Sequence, residues 1–231
     1  MTVDHAPKTI KDIQAEYDHL FATDPIRDED RAYQYFAEKL IEQMPQMTSV
    51  IDIACGGGYF FKQLNPLARP GTRMVGIDIS SEALKLAQVE CPQAEYLLSE
   101  AEHIAFPDET FDAVTCLGSL EHFLDIGKAI DEMKRLLRPR GVILILVPNI
   151  FWYKDILSVA FTGQRKVRNQ TNERFASLGE WTEIFEDLGL KVSTVKKYNG
   201  IAVNPLKQQV KDLVIPVRFS YHFLFICKKK S

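Results

Sequence analysis

Cysteine is scarce in this sequence, and the few cysteines show no pattern typical of a metal site. The four residues Cys55, Cys91, Cys116 and Cys227 include no CxxC pair and have no ligand-like spacing. The sequence therefore predicts neither a zinc site nor a disulfide framework. Reduced thiols are the simpler expectation, and they favour a cytoplasmic location.

Long apolar runs and a large charge excess are also missing. The first twenty residues contain no apolar core of a signal peptide, and no later run reaches the length of a transmembrane helix. The chain has 28 Lys and Arg against 31 Asp and Glu, for a net charge of -3. This balance gives no general attraction to nucleic acid or to an anionic membrane, although it is compatible with a local basic patch.

What is present is the composition of an ordinary globular enzyme or binding protein. The chain has 231 residues, of which 46% are hydrophobic and 26% are charged. This length suits one large domain or two small ones, and we expect a single domain over residues 1–231. Apolar residues at helical spacing predict an N-terminal helical cap over residues 1–45, with a turn at TDPIRDED.

From Val50 onward, short apolar runs alternate with amphipathic segments. The runs are VIDIA, MVGIDI, AEYLL, FDAVTCL and VILILV, and the segments SEALKLAQVE and IGKAIDEMKRLLR lie between them. This alternation predicts an α/β fold with a parallel sheet covered by helices on both faces. Two late strands, KVSTVKKY and SYHFLFICKK, have no full crossover helix between them, which predicts an antiparallel member at the end of the sheet.

Glycine is also sparse, with 12 residues in all, yet three of them stand together directly after the first strand. Small residues at Ala54, Gly56 and Gly58 would let a ligand lie against bare backbone, with the N-terminus of the next helix facing the same space. Asp52 lies near the end of the first strand. Asp78 ends the second strand, where an acidic side chain can accept hydrogen bonds from a ribose diol.

The type of nucleoside ligand follows from what the turn does not contain. A dinucleotide site requires a third glycine where this chain has Phe61, and a phosphate loop requires Gly-Lys-Ser/Thr, which is missing. The turn is therefore suited to an adenosine moiety without a pyrophosphate.

These motifs carry a resemblance to a known family. VIDIACGGGYF, MVGIDIS, SEAEHIAFPDETFDAVTCLGSLEHF and EMKRLLRPRGVILILVPN resemble the class I S-adenosylmethionine-dependent methyltransferases, in particular the group that includes ubiquinone and menaquinone biosynthesis methyltransferases. The resemblance is strong from about Val50 to Asn149 and weaker at GEWTEIFEDLGLKV. It implies a Rossmann-like, seven-stranded sheet of order 3-2-1-4-5-7-6 with the last strand antiparallel, and it implies S-adenosyl-L-methionine as cofactor and S-adenosyl-L-homocysteine as product.

The resemblance also implies roles for individual residues. The methionine portion would lie at the turn, the ribose at the second strand end, and the adenine and the reacting end at later strand ends; the residues concerned are Asp52, Ala54, Cys55, Gly56, Gly58, Asp78, Ile79, Glu100, Ala101 and Leu117. Two of these depart from the family pattern. Ala54 stands where glycine is usual, and Glu100 stands where aspartate is more common.

Catalysis and acceptor binding are less clearly encoded. Methyl transfer from a sulfonium chiefly requires alignment, and a hydroxyl or ammonium acceptor also requires a base. His122 in GSLEHF is the candidate base, whereas the simpler interpretation is that Glu121 and His122 begin or brace the next helix. Residues 150–175 form a candidate substrate lid, and the candidate acceptor contacts are Tyr17, Phe21, Trp152, Tyr153 and Arg174.

The sequence analysis leaves several functions open. The leading hypothesis is methyl transfer to an oxygen, nitrogen or carbon atom of a small molecule. The alternatives are a protein that binds S-adenosylmethionine without turnover and a nucleic-acid methyltransferase. The charge balance and the absence of an Asn/Asp-Pro-Pro-Tyr/Phe motif count against the latter. A nicotinamide-dependent reductase fits least, because of Phe61. The acceptor and the choice between monomer and homodimer stay open.

Overall fold

A computed structural model of the chain describes residues 9–23, 30–164, 174–200 and 205–230. Seven strands alternate with eight α-helices in these ranges. The strands are β1 (Ser49–Ile53), β2 (Arg73–Asp78), β3 (Glu95–Leu98), β4 (Phe111–Leu117), β5 (Leu137–Pro148), β6 (Leu190–Tyr198) and β7 (His222–Lys229). The helices are α1 (Ile10–Thr23), α2 (Asp30–Gln43), α3 (Tyr59–Leu64), α4 (Ser81–Glu90), α5 (Ile126–Leu136), α6 (Tyr153–Thr162), α7 (Leu178–Asp187) and α8 (Pro205–Val214).

The strands form one sheet of order β3-β2-β1-β4-β5-β7-β6. Neighbours from β3 to β5 pair in parallel, whereas β7 is antiparallel to both β5 and β6. The predicted order and the predicted antiparallel last strand are confirmed. The parallel half places the carboxyl ends of β1, β2 and β4 along one edge, where ligands bind in open α/β sheets.

Two hydrophobic clusters cover the two faces of the sheet, and the pleat divides β1 between them. Ile51 and Ile53 pack into a cluster with α5 and α7 that includes Trp181. Val50 faces the other side, in a cluster with α2 and α3 that includes Phe36. Both clusters consist of side chains that are almost wholly buried, so each face is covered as the near-continuous apolar runs predict.

Local signals set the ends of several helices. Ser80 caps α4 by accepting a hydrogen bond from the N–H of Ala83. Ser177 and Glu180 form a reciprocal capping box at the start of α7, and Gly189, with φ +82°, follows its end. In the described ranges, no helix is both long and apolar enough to cross a membrane.

Parts of the predicted domain organisation fall outside the described residues. Helices α1 and α2 occupy most of the predicted N-terminal cap, but residues 24–29 of the turn between them are not described. Helix α6 lies in the predicted lid over residues 150–175, of which 165–173 are not described. The single domain, the cap and the lid stay predictions.

Candidate functional site

A cleft lies at the carboxyl ends of β1, β2 and β4, and its volume is about 1130 Å³ with the part open to solvent included. Twelve of the residues predicted for binding or catalysis line it. They are Tyr17, Phe21, Asp52, Ala54, Cys55, Gly56, Asp78, Ile79, Glu100, Ala101, Leu117 and His122. Residues separated by more than one hundred positions in sequence are thus brought to one cavity by the parallel crossovers.

The turn after β1 forms the floor of the cleft and has left-handed backbone at three positions. The φ angles of Ala54, Gly56 and Gly58 are +57°, +52° and +74°. The positive φ of Ala54 explains physically why glycine suits this position, since an L-residue is strained there. The N–H of Gly58 donates to the carbonyl of Cys55 (3.1 Å), which closes the turn.

Asp78 connects this turn to the end of β2. Its Oδ2 accepts a hydrogen bond from the N–H of Gly56 (2.8 Å), and its Oδ1 accepts one from the N–H of Ser80 (2.8 Å). Burial raises the pKa of Asp78 to about 6, while the backbone hydrogen bonds act against the rise. Each carboxylate oxygen can accept more than one hydrogen bond, so both oxygens keep capacity for hydroxyl donors in the cleft.

Asp52 lies beside Asp78 and is 3% exposed. It is on the face of β1 that also carries Val50. The hydroxyl of Thr115 donates to Asp52 Oδ1 at 2.5 Å. Burial raises the pKa of Asp52 to about 7; the Thr115 hydrogen bond opposes this rise, and the charge of Asp78 adds to it. A buried carboxylate with a raised pKa gains from a cationic ligand, because the cation stabilises the ionised form.

Helix α1 covers the turn. The Cζ atom of Phe21 lies 3.3 Å from the place of a Cβ built on Gly56. Asp18 fixes the helix to the start of α4, since its Oδ1 accepts hydrogen bonds from the Ser80 hydroxyl (2.7 Å) and from the N–H of Glu82 (3.3 Å). Burial tends to raise the pKa of Asp18, but these hydrogen bonds outweigh it and the pKa is lowered. Asp18 is therefore ionised, and its carboxylate holds α1 against the start of α4.

His122 lines the cleft from a short 3-10 turn, Leu120–His122, that follows β4. Its imidazole is buried, and its Nε2 lies 4.0 Å from Oε1 of Glu121, which is 2% exposed. Arg174 braces this turn from outside, because its backbone N–H donates to the carbonyl of Glu121 (3.2 Å) and its guanidinium donates to the carbonyl of Phe123. A titratable ring is thus held at the cavity wall beside a buried carboxyl group.

Four predicted site residues are not brought to the cleft. Gly58 faces α4 instead, where a Cβ would lie 2.9 Å from Ala87 Cα. Trp152 packs on Tyr221, with 4.7 Å between ring centroids, and Tyr153 packs on Trp152. Arg174 does not line the cleft and instead donates hydrogen bonds to the backbone carbonyls of Phe123 and Leu124, which do.

Other residues line the cleft without having been predicted. Gly57 takes the place expected for Gly58, and Tyr33 and Tyr59 form an aromatic pair with centroids 5.8 Å apart. Phe123 and Leu124, which follow His122 in sequence, also line the cleft. Tyr33 carries no local signal, because its approach to the cleft depends on how α2 packs against α3.

Comparison with known proteins places these features in a family. A family model described as a methyltransferase domain matches residues 51–145. An uncharacterized methyltransferase of Bacillus subtilis, YcgJ, is 27% identical over 65% of this chain and 60% of its own length. A ubiquinone biosynthesis O-methyltransferase of Hydrogenovibrio crunogenus is 25% identical over 79% of this chain and 76% of its own. The chain thus spans less than two thirds of the first of these relatives.

Solved structures share the fold at lower identity. A SAM-dependent methyltransferase from Aquifex aeolicus is 18% identical, with a TM-score of 0.60 over 96% of this chain and 98% of its own. The cyclase SpnF is 15% identical, with a TM-score of 0.67 over 96% and 97%. Since one neighbour is described as a cyclase, the fold by itself leaves the reaction open, and the family match carries more weight.

Proposed function

Because the chain belongs to the class I S-adenosylmethionine-dependent methyltransferases, with S-adenosylmethionine as its cofactor, we propose that it transfers a methyl group to an oxygen, nitrogen or carbon atom of a small-molecule acceptor. The observation that carries the proposal is the shared cleft, in which Asp52, Asp78 and His122 lie at the ends of three neighbouring strands. Sequence-distant residues that meet at such an edge form the usual ligand crevice of this architecture.

The residues of the cleft fit the cofactor. Gly56 and Gly57 line the cleft with backbone alone, and their missing side chains let the rings of Phe21 and Tyr59 pack within 3.3 Å and 2.8 Å of the places of their Cβ atoms. The N-terminus of α3 follows directly after this turn. Asp78 would accept hydrogen bonds from the ribose hydroxyls, and Asp52 would pair with the ammonium group of the methionine portion. Ile79 and the backbone of Ala101 would contact the adenine, with Glu100 at its edge.

The cofactor supplies an activated methyl group, and the protein aligns the acceptor with it. Leu117 and His122 would border the reacting end, with Phe123 and Leu124 lining the cleft beside them. His122 would accept the proton of a hydroxyl or ammonium acceptor, since an imidazole titrates near neutral pH. Glu121, at 4.0 Å, would favour the protonated imidazole that results.

Three finer assignments belong to the same proposal. Tyr17 and Phe21 cover the cofactor side, whereas Trp152, Tyr153 and the 150–175 lid would contact the acceptor only after a rearrangement toward the cleft. The protein would act in the cytoplasm, as a monomer or a homodimer. Binding of S-adenosylmethionine without turnover is the second candidate, since the fold by itself does not require methyl transfer.

Two measurements test the proposal. Calorimetry with S-adenosylhomocysteine should give a dissociation constant in the micromolar range or below, which corresponds to a binding free energy of about -8 kcal/mol or a more negative value. The absence of such binding would contradict the cofactor site. Labelled S-adenosylmethionine, incubated with the protein and a small-molecule extract, should then label an acceptor. Binding with persistent failure to label any acceptor would support the non-catalytic alternative.

The role of His122 is tested with the acceptor that labelling identifies. His122→Gln should lower kcat by about 10²–10⁴-fold if the ring accepts a proton, with S-adenosylhomocysteine affinity unchanged. His103→Gln is the matched control, because the His103 side chain is 75% exposed. If His122→Gln keeps the kcat and the pH profile of the unaltered protein, His122 is not the base. Alignment of the acceptor with the methyl group then accounts for catalysis.

A further inference from the structure

The loop between β3 and β4, residues 99–110, supplies four consecutive residues to the wall of the cleft. They are Ser99, Glu100, Ala101 and Glu102. The loop contains no helix and no strand, so regular backbone hydrogen bonding does not fix its shape. Its contacts with neighbouring elements therefore determine where these cleft residues lie.

Arg135, near the end of α5, holds the far part of this loop through a fork of hydrogen bonds. Its Nη2 donates to the carbonyl of Ile104 (2.8 Å), and its Nη1 donates to the carbonyl of Phe106 (2.6 Å) and to Oδ1 of Asp108 (2.9 Å). A guanidinium group suits this arrangement, because its five N–H donors point in fixed directions in one plane. A single side chain thus fixes three residues of the loop.

Glu132, three residues earlier on α5, completes this attachment. Its Oε1 accepts from Nε of Arg135 (2.7 Å), and its Oε2 accepts from Nη2 of Arg135 (2.8 Å) and from the N–H of Ile104 (2.8 Å). The hydrogen bond from Arg135 lowers the pKa of Glu132, so the pair is ionised. Ile104, which is 5% exposed, is therefore held at both its N–H and its carbonyl. Glu132 and Arg135 are called the α5 clamp below.

The α5 clamp acts close to the residues that line the cleft. Ile104 is two positions from Glu102, whose Oε1 accepts a hydrogen bond from the N–H of Asp125 (3.4 Å), the cap of α5. Both ends of α5 thus contact the same loop. The position of this helix is therefore passed to Glu100 and Ala101, which would contact the adenine.

From this geometry we propose that Glu132 and Arg135 are positioning residues that give the cofactor site its preference for adenine over other purines. Neither side chain is part of the described cleft wall, so both act through the loop. With the loop held in place, the Glu100 carboxylate accepts a hydrogen bond from the exocyclic amino group of adenine, and a base without that donor binds less tightly. The inference rests on the proposed function and adds base selectivity to it.

Calorimetry with S-adenosylhomocysteine and S-inosylhomocysteine tests the proposal, because S-inosylhomocysteine has an oxygen in place of the exocyclic amino group. The unaltered chain should bind S-adenosylhomocysteine at least about tenfold more tightly, as expected for a lost hydrogen bond to a charged group. In Arg135→Gln this ratio of dissociation constants should fall to about threefold or less, since a loosened loop no longer holds Glu100 at the amino group.

Two further variants keep part of the α5 clamp. Arg135→Lys should have an intermediate ratio, because one ammonium group cannot bond both carbonyls and the carboxylate in the fixed geometry of a guanidinium. Glu132→Gln should also have an intermediate ratio, because a neutral amide holds Arg135 more weakly than a carboxylate does. These two conservative variants carry the comparison if Arg135→Gln does not fold.

Lys134→Gln is the matched control. The Lys134 side chain is next to Arg135 on α5 and is similarly exposed (26% against 29%), but it donates to the carbonyl of Leu188 (2.7 Å) and not to the loop. Lys134→Gln should keep the ratio of the unaltered chain, even where urea unfolding shows a similar loss of stability. A general loss of stability weakens binding of both ligands equally, so the ratio separates positioning from a merely structural role.

Three results would overturn the proposal, each in a different way. Failure of the unaltered chain to bind either ligand would remove the cofactor site and with it the proposed function. Equal binding of the two ligands by the unaltered chain would leave the cofactor site in place but show that the loop does not select adenine. An unchanged ratio in all folded variants of the α5 clamp would show that Glu132 and Arg135 only stabilise the fold.

Discussion

The Cζ atom of Phe21 lies 3.3 Å from the place of a Cβ on Gly56, so the cap helix and the glycine turn are packed together with no space for a further methyl group. The contact joins α1, near the start of the described chain, to the turn after β1. It makes Gly56 sensitive to substitution for two separable reasons, the positive φ and the close neighbour.

Gly56→Ala should therefore lower both stability and cofactor affinity. The left-handed backbone alone costs an alanine about 1 kcal/mol, and the Phe21 ring must move in addition. We expect S-adenosylhomocysteine to bind about tenfold more weakly or worse, because a methyl group occupies the floor of the cleft. Gly71→Ala separates the two effects, since Gly71 has φ +82° but no atom within 4 Å of its Cβ position. Urea unfolding measures the stability of the two variants, and calorimetry measures their affinity for S-adenosylhomocysteine. Equal losses in Gly56→Ala and Gly71→Ala would contradict the argument from close approach.

Ala54→Gly should have the opposite effect on stability. Relief of the positive φ at Ala54 outweighs the extra freedom of glycine in the unfolded chain, so the free energy of unfolding should rise by about 0.5–1 kcal/mol. Arg140→Gly provides the comparison, because Arg140 also has a positive φ (+71°) but lies away from the cleft. Both should stabilise the protein, and only Ala54→Gly should change cofactor affinity. A loss of stability in Ala54→Gly would show that the methyl group of Ala54 is needed for packing.

The raised pKa of Asp52 predicts how stability depends on pH. The folded-state pKa is about 7 and the unfolded-state pKa about 3.9, so folding favours the protonated form. The stability that this gives is fully present below about pH 4 and is lost as the pH rises through 7. It amounts to about 4 kcal/mol at most. Relative to Asp52→Asn, the unaltered protein should lose stability across this window in urea unfolding; parallel pH profiles would contradict the assignment.

Cofactor binding should lower the pKa of Asp52 again. If the methionine ammonium pairs with Asp52, binding near pH 7 releases a proton from that carboxyl group, and the calorimetric enthalpy should depend on the ionisation enthalpy of the buffer. Asp52→Asn should remove most of this dependence. Asp131→Asn, at a side chain that is 68% exposed, should leave it in place.

Asp18→Asn should loosen the cap helix. Its carboxylate oxygen accepts from Ser80 and Glu82, and weaker hydrogen bonds to a neutral amide cost about 1 kcal/mol. The dissociation rate of S-adenosylhomocysteine should therefore rise about fivefold in stopped-flow experiments. Asp12→Asn makes the same charge change in α1 at a residue that bonds within the helix start, to Thr9. Equal rates for the two variants would mean that α1 does not retain the ligand.

Much of the fold was predictable because its signals are local and repeated. SEALKLAQVE predicts α4, and the structure has it at Ser81–Glu90. The order of the sheet followed from the family resemblance, and the antiparallel end followed from the short link between the last strands. Individual roles in the turn were harder, because spacing alone does not distinguish a glycine that faces a ligand, such as Gly57, from one that faces a helix, such as Gly58.

The acceptor side carries the weakest sequence signals. The aromatic character of Trp152 and Tyr153 indicates acceptor contacts, but an aromatic ring serves equally to pack on a neighbour such as Tyr221. Tyr33 was missed because it reaches the cleft through the packing of α2. Such contacts depend on how whole elements are arranged, and that information is distributed over the entire chain.

The position of β7 between β5 and β6 determines the order in which the sheet can be completed. Among the described strands, β6 has β7 as its one neighbour, so β6 cannot join the sheet until β7 has been synthesised. Until then, the edge of β5 that pairs with β7 is unpaired, and other nascent chains can bind to it. Long-range pairing of this kind slows folding. During translation the late strands should therefore be the last to be protected from chaperones and proteases.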